Sequence, residues 1–213
     1  MKMTSTTQMF KKNTRNEQFD DEVGLERLVF FSDAVFAIAI TLLALEIHLP
    51  IEATGLSDFQ LTRSLVEIWP RYLSFMISFL VIGNFWIAHH RRFRLITRYD
   101  TRLLLLNLFM LMCIAFIPFP TSILSENSNR TATIFYALSI AGTGLMSAVL
   151  WWYVSRENRL TEKTIDARTA RRHLFSILTI PIVVLLSIAI AYISPDLAKF
   201  SWILTAPAAL LTR

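Results

Sequence analysis

The chain has 213 residues, 54% of them apolar and 17% charged, with a formal net charge of +5. Soluble domains carry roughly 25% charged residues, and a water-soluble enzyme or binding module of this length would not need several long uncharged runs. The lone cysteine, Cys113, lies inside one such run, so no intrachain disulfide is available and an oxidising compartment leaves no mark.

Residues 1–23 are polar and mixed in charge, with Lys11, Lys12, Arg15, Asp20, Asp21 and Glu22. The order of a secretory leader is missing, so this segment reads as a cytoplasmic tail whose last residues can extend the first helix. Residues 24–213 read as one transmembrane domain. Most of its apolar runs approach or pass the roughly 18–20 residues that cross about 30 Å of hydrocarbon. Backbone polar groups find no water there, and the alternation of a barrel strand is absent, so each run is expected to be a helix. The expected fold is all-α and polytopic, with six transmembrane helices.

The first span is expected over 28–49, stopping at Pro50, and the second over 72–88. Between them, 56–69 (LSDFQLTRSLVEIW) reads as an amphipathic helix lying on the outer interface, with Ser57 and Asp58 as caps. The third span covers 103–124, the fourth 131–154, and the fifth 174–193 with Pro181 as a kink. The sixth, 197–211, is short and carries Pro207.

Charge sets the orientation. Lys2, Lys11, Lys12, Arg15 and Arg27 precede the first span. Arg91, Arg92, Arg94, Arg98 and Arg102 join the second to the third, and Arg156, Arg159, Lys163, Arg168, Arg171 and Arg172 join the fourth to the fifth. The opposite side keeps Arg63, Arg71, Arg130 and Lys199. Short loops rich in Lys and Arg stay in the cytoplasm, which places both termini there and explains the charge by topology alone; the rival reading is a nucleic-acid or lipid patch made by Arg91–Arg94 and Arg168–Arg172.

The chemistry concentrates in the first span, RLVFFSDAVFAIAITLLALEIHLP. An ionised Asp in the middle of a span costs roughly 2.5–3.5 kcal/mol, and less near an edge, so Asp33 needs a partner or water. With Asp33 at 0° and about 100° per residue, Arg27 and Leu45 fall near 120°, Ile38 near 140° and Leu42 near 180°. Thr41 stands on the shoulder of that apolar stripe. The second span ends in NFWIAHHRRF, which brings Asn84, Trp86, His89 and His90 to the depth of Ser32 and Asp33, and the third contributes Asn107. A carboxylate, an indole, an imidazole and an amide at one depth can satisfy one another, and the favoured reading is a clamp joining three helices. Glu46, at the outer end, either draws cations or is an interfacial carboxylate in water.

The pattern Arg27-x-x-x-Phe31-Ser32-Asp33, followed by Ala37-Ile38, Thr41-Leu42 and Leu45-Glu46-Ile47, resembles the first-helix signature of the transmembrane protein 175 family. The stretch from Asn84 to His89, His90 and Arg91, with Trp86, is similar to its second helix. The family comprises endosomal and lysosomal potassium channels and their prokaryotic homologues. A single Phe-Ser-Asp copy and six spans resemble the prokaryotic, tetrameric members. The resemblance implies a homotetramer whose first helices line a central pore, with Ile38, Leu42 and Leu45 as apolar rings and Thr41 contributing to selectivity. It also implies that Arg27, Ser32, Asp33, Trp86 and His89 (or His90) position the pore helix.

The expected function is therefore a potassium-permeable cation channel of a prokaryotic inner membrane. Its expected partners are its own copies and lipids, without cofactor, metal or nucleic acid. Two other readings stand beside it. One is a proton-coupled transporter using Asp33 and His89, and the other a non-conducting scaffold that docks partners on its basic fourth-to-fifth loop. The residues alone leave the apolar stripe open to ordinary helix packing. No TVGYG-type carbonyl filter is present, so selectivity would have to come from another device; a narrow apolar ring can act through dewetting and the cost of stripping water from an ion. No metalloprotease, cysteine-cluster or phosphate-loop motif points to an enzyme.

Overall fold

The computed structural model describes residues 3–49, 55–127, 129–157, 160–161 and 166–203. Among these, helices follow one another as α1 (Met3–Leu45), α2 (Asp58–Glu67), α3 (Trp69–Phe93), α4 (Thr101–Phe116), α5 (Pro118–Glu126), α6 (Arg130–Glu157), α7 (Ala167–Ala191) and α8 (Pro195–Ile203). Five stretches are long and apolar enough to cross a membrane: Asp21–Leu45, Trp69–Phe93, Thr101–Glu126, Arg130–Arg156 and Arg168–Ala191.

α1 departs from expectation at both ends. It begins at Met3 and not near 28, because neither glycine nor proline interrupts 3–23 and the apolar run behind it supplies an already formed helix to extend. It ends at Leu45 and not at 49. The amides of Glu46 and Ile47 reach back only three residues, to the carbonyls of Leu43 (3.3 Å) and Ala44 (3.2 Å). A proline at position 50 disfavours helical backbone just before it; the stop at Pro50 itself lies outside the described residues.

The helix expected at the interface is α2. The Gln60 amide donates to Ser57 Oγ at 3.5 Å, and the Ser57 amide donates to Gln60 Oε1 at 3.0 Å, a reciprocal capping box. None of its residues is buried, and Phe59, Leu65 and Val66 stand exposed, as suits a helix resting on lipid. α3 is longer than expected at both ends, with Pro70 in its first turn where a missing N–H costs nothing.

The third span is two helices. Pro118 has no N–H to offer the Ile114 carbonyl, which takes the Ile117 amide at 3.1 Å, and α5 restarts at Pro118. Pro181 stays inside α7, where Gly144 of α6 receives its ring; a Cβ on Gly144 would occupy the ring's place. Where a sixth span is expected, α8 covers the first part, and residues 204–213, including Pro207, lie outside the described residues. Its Trp202 stacks on Tyr136 with ring centroids 4.9 Å apart.

α1 packs against α3 and α4, and α6 against α4 and α7. The core joins Phe36, Ala39 and Leu43 of α1 to Ile77, Val81 and Phe85 of α3 and to Leu103, Met110 and Ile114 of α4. Where the arginine-rich loops meet, the amides of Thr97 and Arg98 donate to the Leu160 carbonyl at 2.7 and 3.2 Å. Asp100 caps α4 by accepting from the Leu103 amide at 2.8 Å, and also accepts from the Tyr153 hydroxyl. Tyr99 lies across Gly24 so closely that a Cβ there would push its ring aside, and Arg98 reaches Asp21 at 4.0 Å.

Candidate functional site: the first membrane helix and its polar clamp

α1 has two faces through the membrane. Leu25, Leu28, Ser32, Phe36, Ala39 and Leu43 recur at helical spacing and are all buried against α3 and α4. On the other side Ile38 is 58% exposed, Leu42 40% and Leu45 72%, at i, i+4 and i+7. These three touch no core of their own subunit. Thr41 stands among them, exposed, its hydroxyl donating to the Ile38 carbonyl at 2.9 Å. Glu46 lies half-buried just past the helix end.

The buried face carries a hydrogen-bond chain whose direction is fixed at each step. The single proton of the Ser32 hydroxyl goes to the Leu28 carbonyl at 2.8 Å. Ser32 Oγ must then accept, which it does from Asn107 Nδ2 at 2.9 Å. That turns Asn107 Oδ1 toward His89 Nε2, 2.9 Å away, so the imidazole carries its proton on Nε2. His89 Nδ1 has no partner among the described residues, and the ring is held between Phe93 (centroids 4.0 Å apart) and Phe36 (5.6 Å). Ser32, His89 and Asn107 are all buried.

Asp33 belongs to a second, separate contact. Its Oδ1 accepts from Trp86 Nε1 at 2.8 Å, on the flank of α1 where both side chains keep some exposure. The expected single cluster is thus two: Ser32–Asn107–His89 inside, Asp33–Trp86 at the edge. His90 is exposed and packs on the Trp86 ring at 5.8 Å, so His89 is the histidine that meets Asn107. Arg27 does not join either group. It stands exposed at the angular position of Leu45, with no ion pair among the described residues.

Asn84, placed by sequence at the same depth, faces away from the clamp, into a cleft beside Arg92. Arg92 was counted only as a loop arginine, yet it is buried. The signal was in the helical period, since it follows His89 by three residues and Phe85 by seven, on the buried side of α3. Among the described residues, no group of three or more His, Cys, Asp or Glu side chains is gathered to hold a metal ion.

The family model described as endosomal/lysosomal potassium channel TMEM175 matches residues 27–118, which hold the part of α1 from Arg27 onward and both halves of the clamp. A potassium channel of Streptomyces collinus is 40% identical over 150 residues, 68% of this chain and 71% of that one. The chain belongs to the TMEM175 family. A potassium channel of Chamaesiphon minutus is 38% identical over 148 residues, covering 66% of this chain and 70% of its own. The crystal structure of a lysosomal potassium-selective TMEM175 homologue from Chamaesiphon minutus aligns with a TM-score of 0.76 at 33% identity. It covers 90% of this chain and all of that one. These TMEM175 relatives are named as ion channels, not enzymes, and the chain shares their multi-pass helical membrane fold.

Proposed function

We propose that the protein is a potassium-permeable cation channel, a homotetramer whose α1 helices surround a central axis. The observation that carries this reading is the two-faced α1. One face is anchored in its own subunit by the core and the polar clamp, while Ile38, Leu42 and Leu45 project with nothing of their own subunit to cover them. One helix cannot enclose a pathway, so closure needs copies about an axis. The names of the relatives supply the ion.

In this arrangement Ile38, Leu42 and Leu45 form successive apolar rings. Such a constriction resists wetting and makes an ion shed water to pass, so it discriminates less sharply than a carbonyl filter. Thr41 adds a hydroxyl beside the rings, and Glu46 places a carboxylate at the outer mouth, where it draws cations. Ser32, Asn107, His89, Asp33 and Trp86 hold α1 against α3 and α4, which fixes the rotation that aims the apolar stripe inward; Arg27, exposed on the same side as the stripe, is left to meet a neighbouring subunit. Residues 1–23 form a cytoplasmic segment, helical from Met3, ahead of a channel domain over 24–213, with both termini on the cytoplasmic side of a prokaryotic inner membrane.

A proton-coupled transporter would gain from a relay between Asp33 and His89, and these two residues sit in separate hydrogen-bonded groups. Potassium flux into liposomes tests the channel. Alanine at Ile38 or at Leu42 widens a ring and should change both flux and the preference for potassium over sodium. Flux and preference that stay at wild-type values in both variants would remove α1 from the pathway.

A further inference from the structure

Arg92 is 2% exposed. Its Nε donates to the Ala88 carbonyl at 2.7 Å and its Nη1 to the Ser147 carbonyl at 3.1 Å. Among the described residues no carboxylate lies within ion-pair distance of it. Backbone carbonyls accept its protons without neutralising its charge, and a buried cation without a counter-charge is strongly unfavourable. Among the described residues its charge is left without a counter-charge.

The space for it is present. Between α3 and α7 lies a cleft of about 100 Å3, lined by Arg91, Arg92, Arg172 and His173 with Asn84 and Ser176. A single water needs only roughly 10–15 Å3. Past Arg92 a smaller space of about 30 Å3 runs inward to Ser147, with Ile177 and Ile180 as walls. Ser147 is fully buried, and its Oγ has no hydrogen-bond partner among the described residues. Three guanidinium groups, an imidazole, an amide and an orphaned hydroxyl thus line two adjoining recesses that share Asn84, Arg92 and Ser176, without an acid among them.

Planar guanidinium forks match the oxygens of a phosphoryl group, and hydroxyl and amide N–H groups complete such a set. The cleft also lies where α3 and α7 leave the apolar layer at the end of the bundle that carries the arginine-rich loops, the level of lipid headgroups. We propose that this cleft binds a phosphoryl group, supplied by the headgroup of an anionic phospholipid of that leaflet. Arg92 takes the buried oxygen, and Arg91 and Arg172 close on the group from the rim. This site is independent of which helix lines the pore.

The full chain in mild detergent tests this, with melting followed as phosphatidylglycerol, phosphatidylcholine or inorganic phosphate is added. Native mass spectrometry in parallel counts phosphatidylglycerol molecules retained per subunit. Arg91 and Arg172 are exposed, so Arg91→Gln/Arg172→Gln keeps the fold. Arg94→Gln/Arg102→Gln removes the same charge from the same end of the molecule but outside the cleft. The expected result is stabilisation by phosphatidylglycerol but not phosphatidylcholine, weakened roughly tenfold or more by the cleft variant and less than about twofold by the control. Equal stabilisation by inorganic phosphate, with the same variant dependence, keeps the site and makes free phosphate the source. No retained lipid and no stabilisation by either phosphate, or equal weakening by both double variants, overturns it.

Discussion

Replacing Asn107 with leucine removes the centre of the buried chain while keeping its approximate volume. Two interhelical hydrogen bonds are lost, at about 0.6 kcal/mol each in a membrane interior. Ser32 still donates to the Leu28 carbonyl, so its loss ends there. His89 fares worse. Its Nε2–H loses its acceptor while its Nδ1 already lacks a donor among the described residues, in a ring enclosed by Phe36 and Phe93. An orphaned buried donor costs about 1–3 kcal/mol. The total is about 3 kcal/mol, or roughly 6–12 °C in melting temperature for a chain of this size. Adding His89→Phe removes the orphan, and a phenyl ring fits the slot the imidazole occupies. Asn107→Leu/His89→Phe should therefore melt within about 1 kcal/mol of the parent, above Asn107→Leu alone. Detergent melting followed by tryptophan fluorescence measures all four corners of this cycle. A double variant as unstable as the two single losses added together would refute the orphaned-donor reasoning.

Trp86→Phe deletes the donor to Asp33 and should lower melting by about 1 kcal/mol, whereas Asp33→Asn should cost less because an amide oxygen still accepts from the indole. Gly144→Ala puts a methyl group where the Pro181 ring lies and should destabilise by about 1–3 kcal/mol; Gly142→Ala, with open space around it, should be neutral or stabilising in the same assay. Ser57→Ala breaks the α2 capping box at a cost of about 1 kcal/mol. Because α2 buries none of its residues, the loss should appear as about fivefold faster amide exchange in α2 with global melting unchanged.

Five of the spans were legible because lipid leaves the backbone one solution, and long apolar runs announce it. Their ends were less so. The extension of α1 back to Met3 carries no apolar period to reveal it, and the break at Ile117 depends on which carbonyl Pro118 deprives of a donor. At the site, the wheel separated the stripe of Ile38, Leu42 and Leu45 from Asp33 correctly as geometry, since both lie on one helix. Depth alone could not divide Ser32, Asn107 and His89 from Asp33 and Trp86, because that division depends on the rotation of α3 and α4 about their own axes. The same rotation turns Asn84 away from the clamp and carries Arg92 inside, against the habit of loop-end arginines.

An uninterrupted α1 of 43 residues is about 64 Å long, roughly twice the thickness of the hydrocarbon. Its first half is therefore continuous with, and a handle on, the half that bears Ile38 and Leu42. No proline hinge separates the two, and the one flexible link, Gly24, is clasped under the Tyr99 ring. Torque applied to the handle, or to the arginine-rich loop that grips it through Tyr99 and Arg98, is delivered to the membrane-embedded turns with little lost on the way.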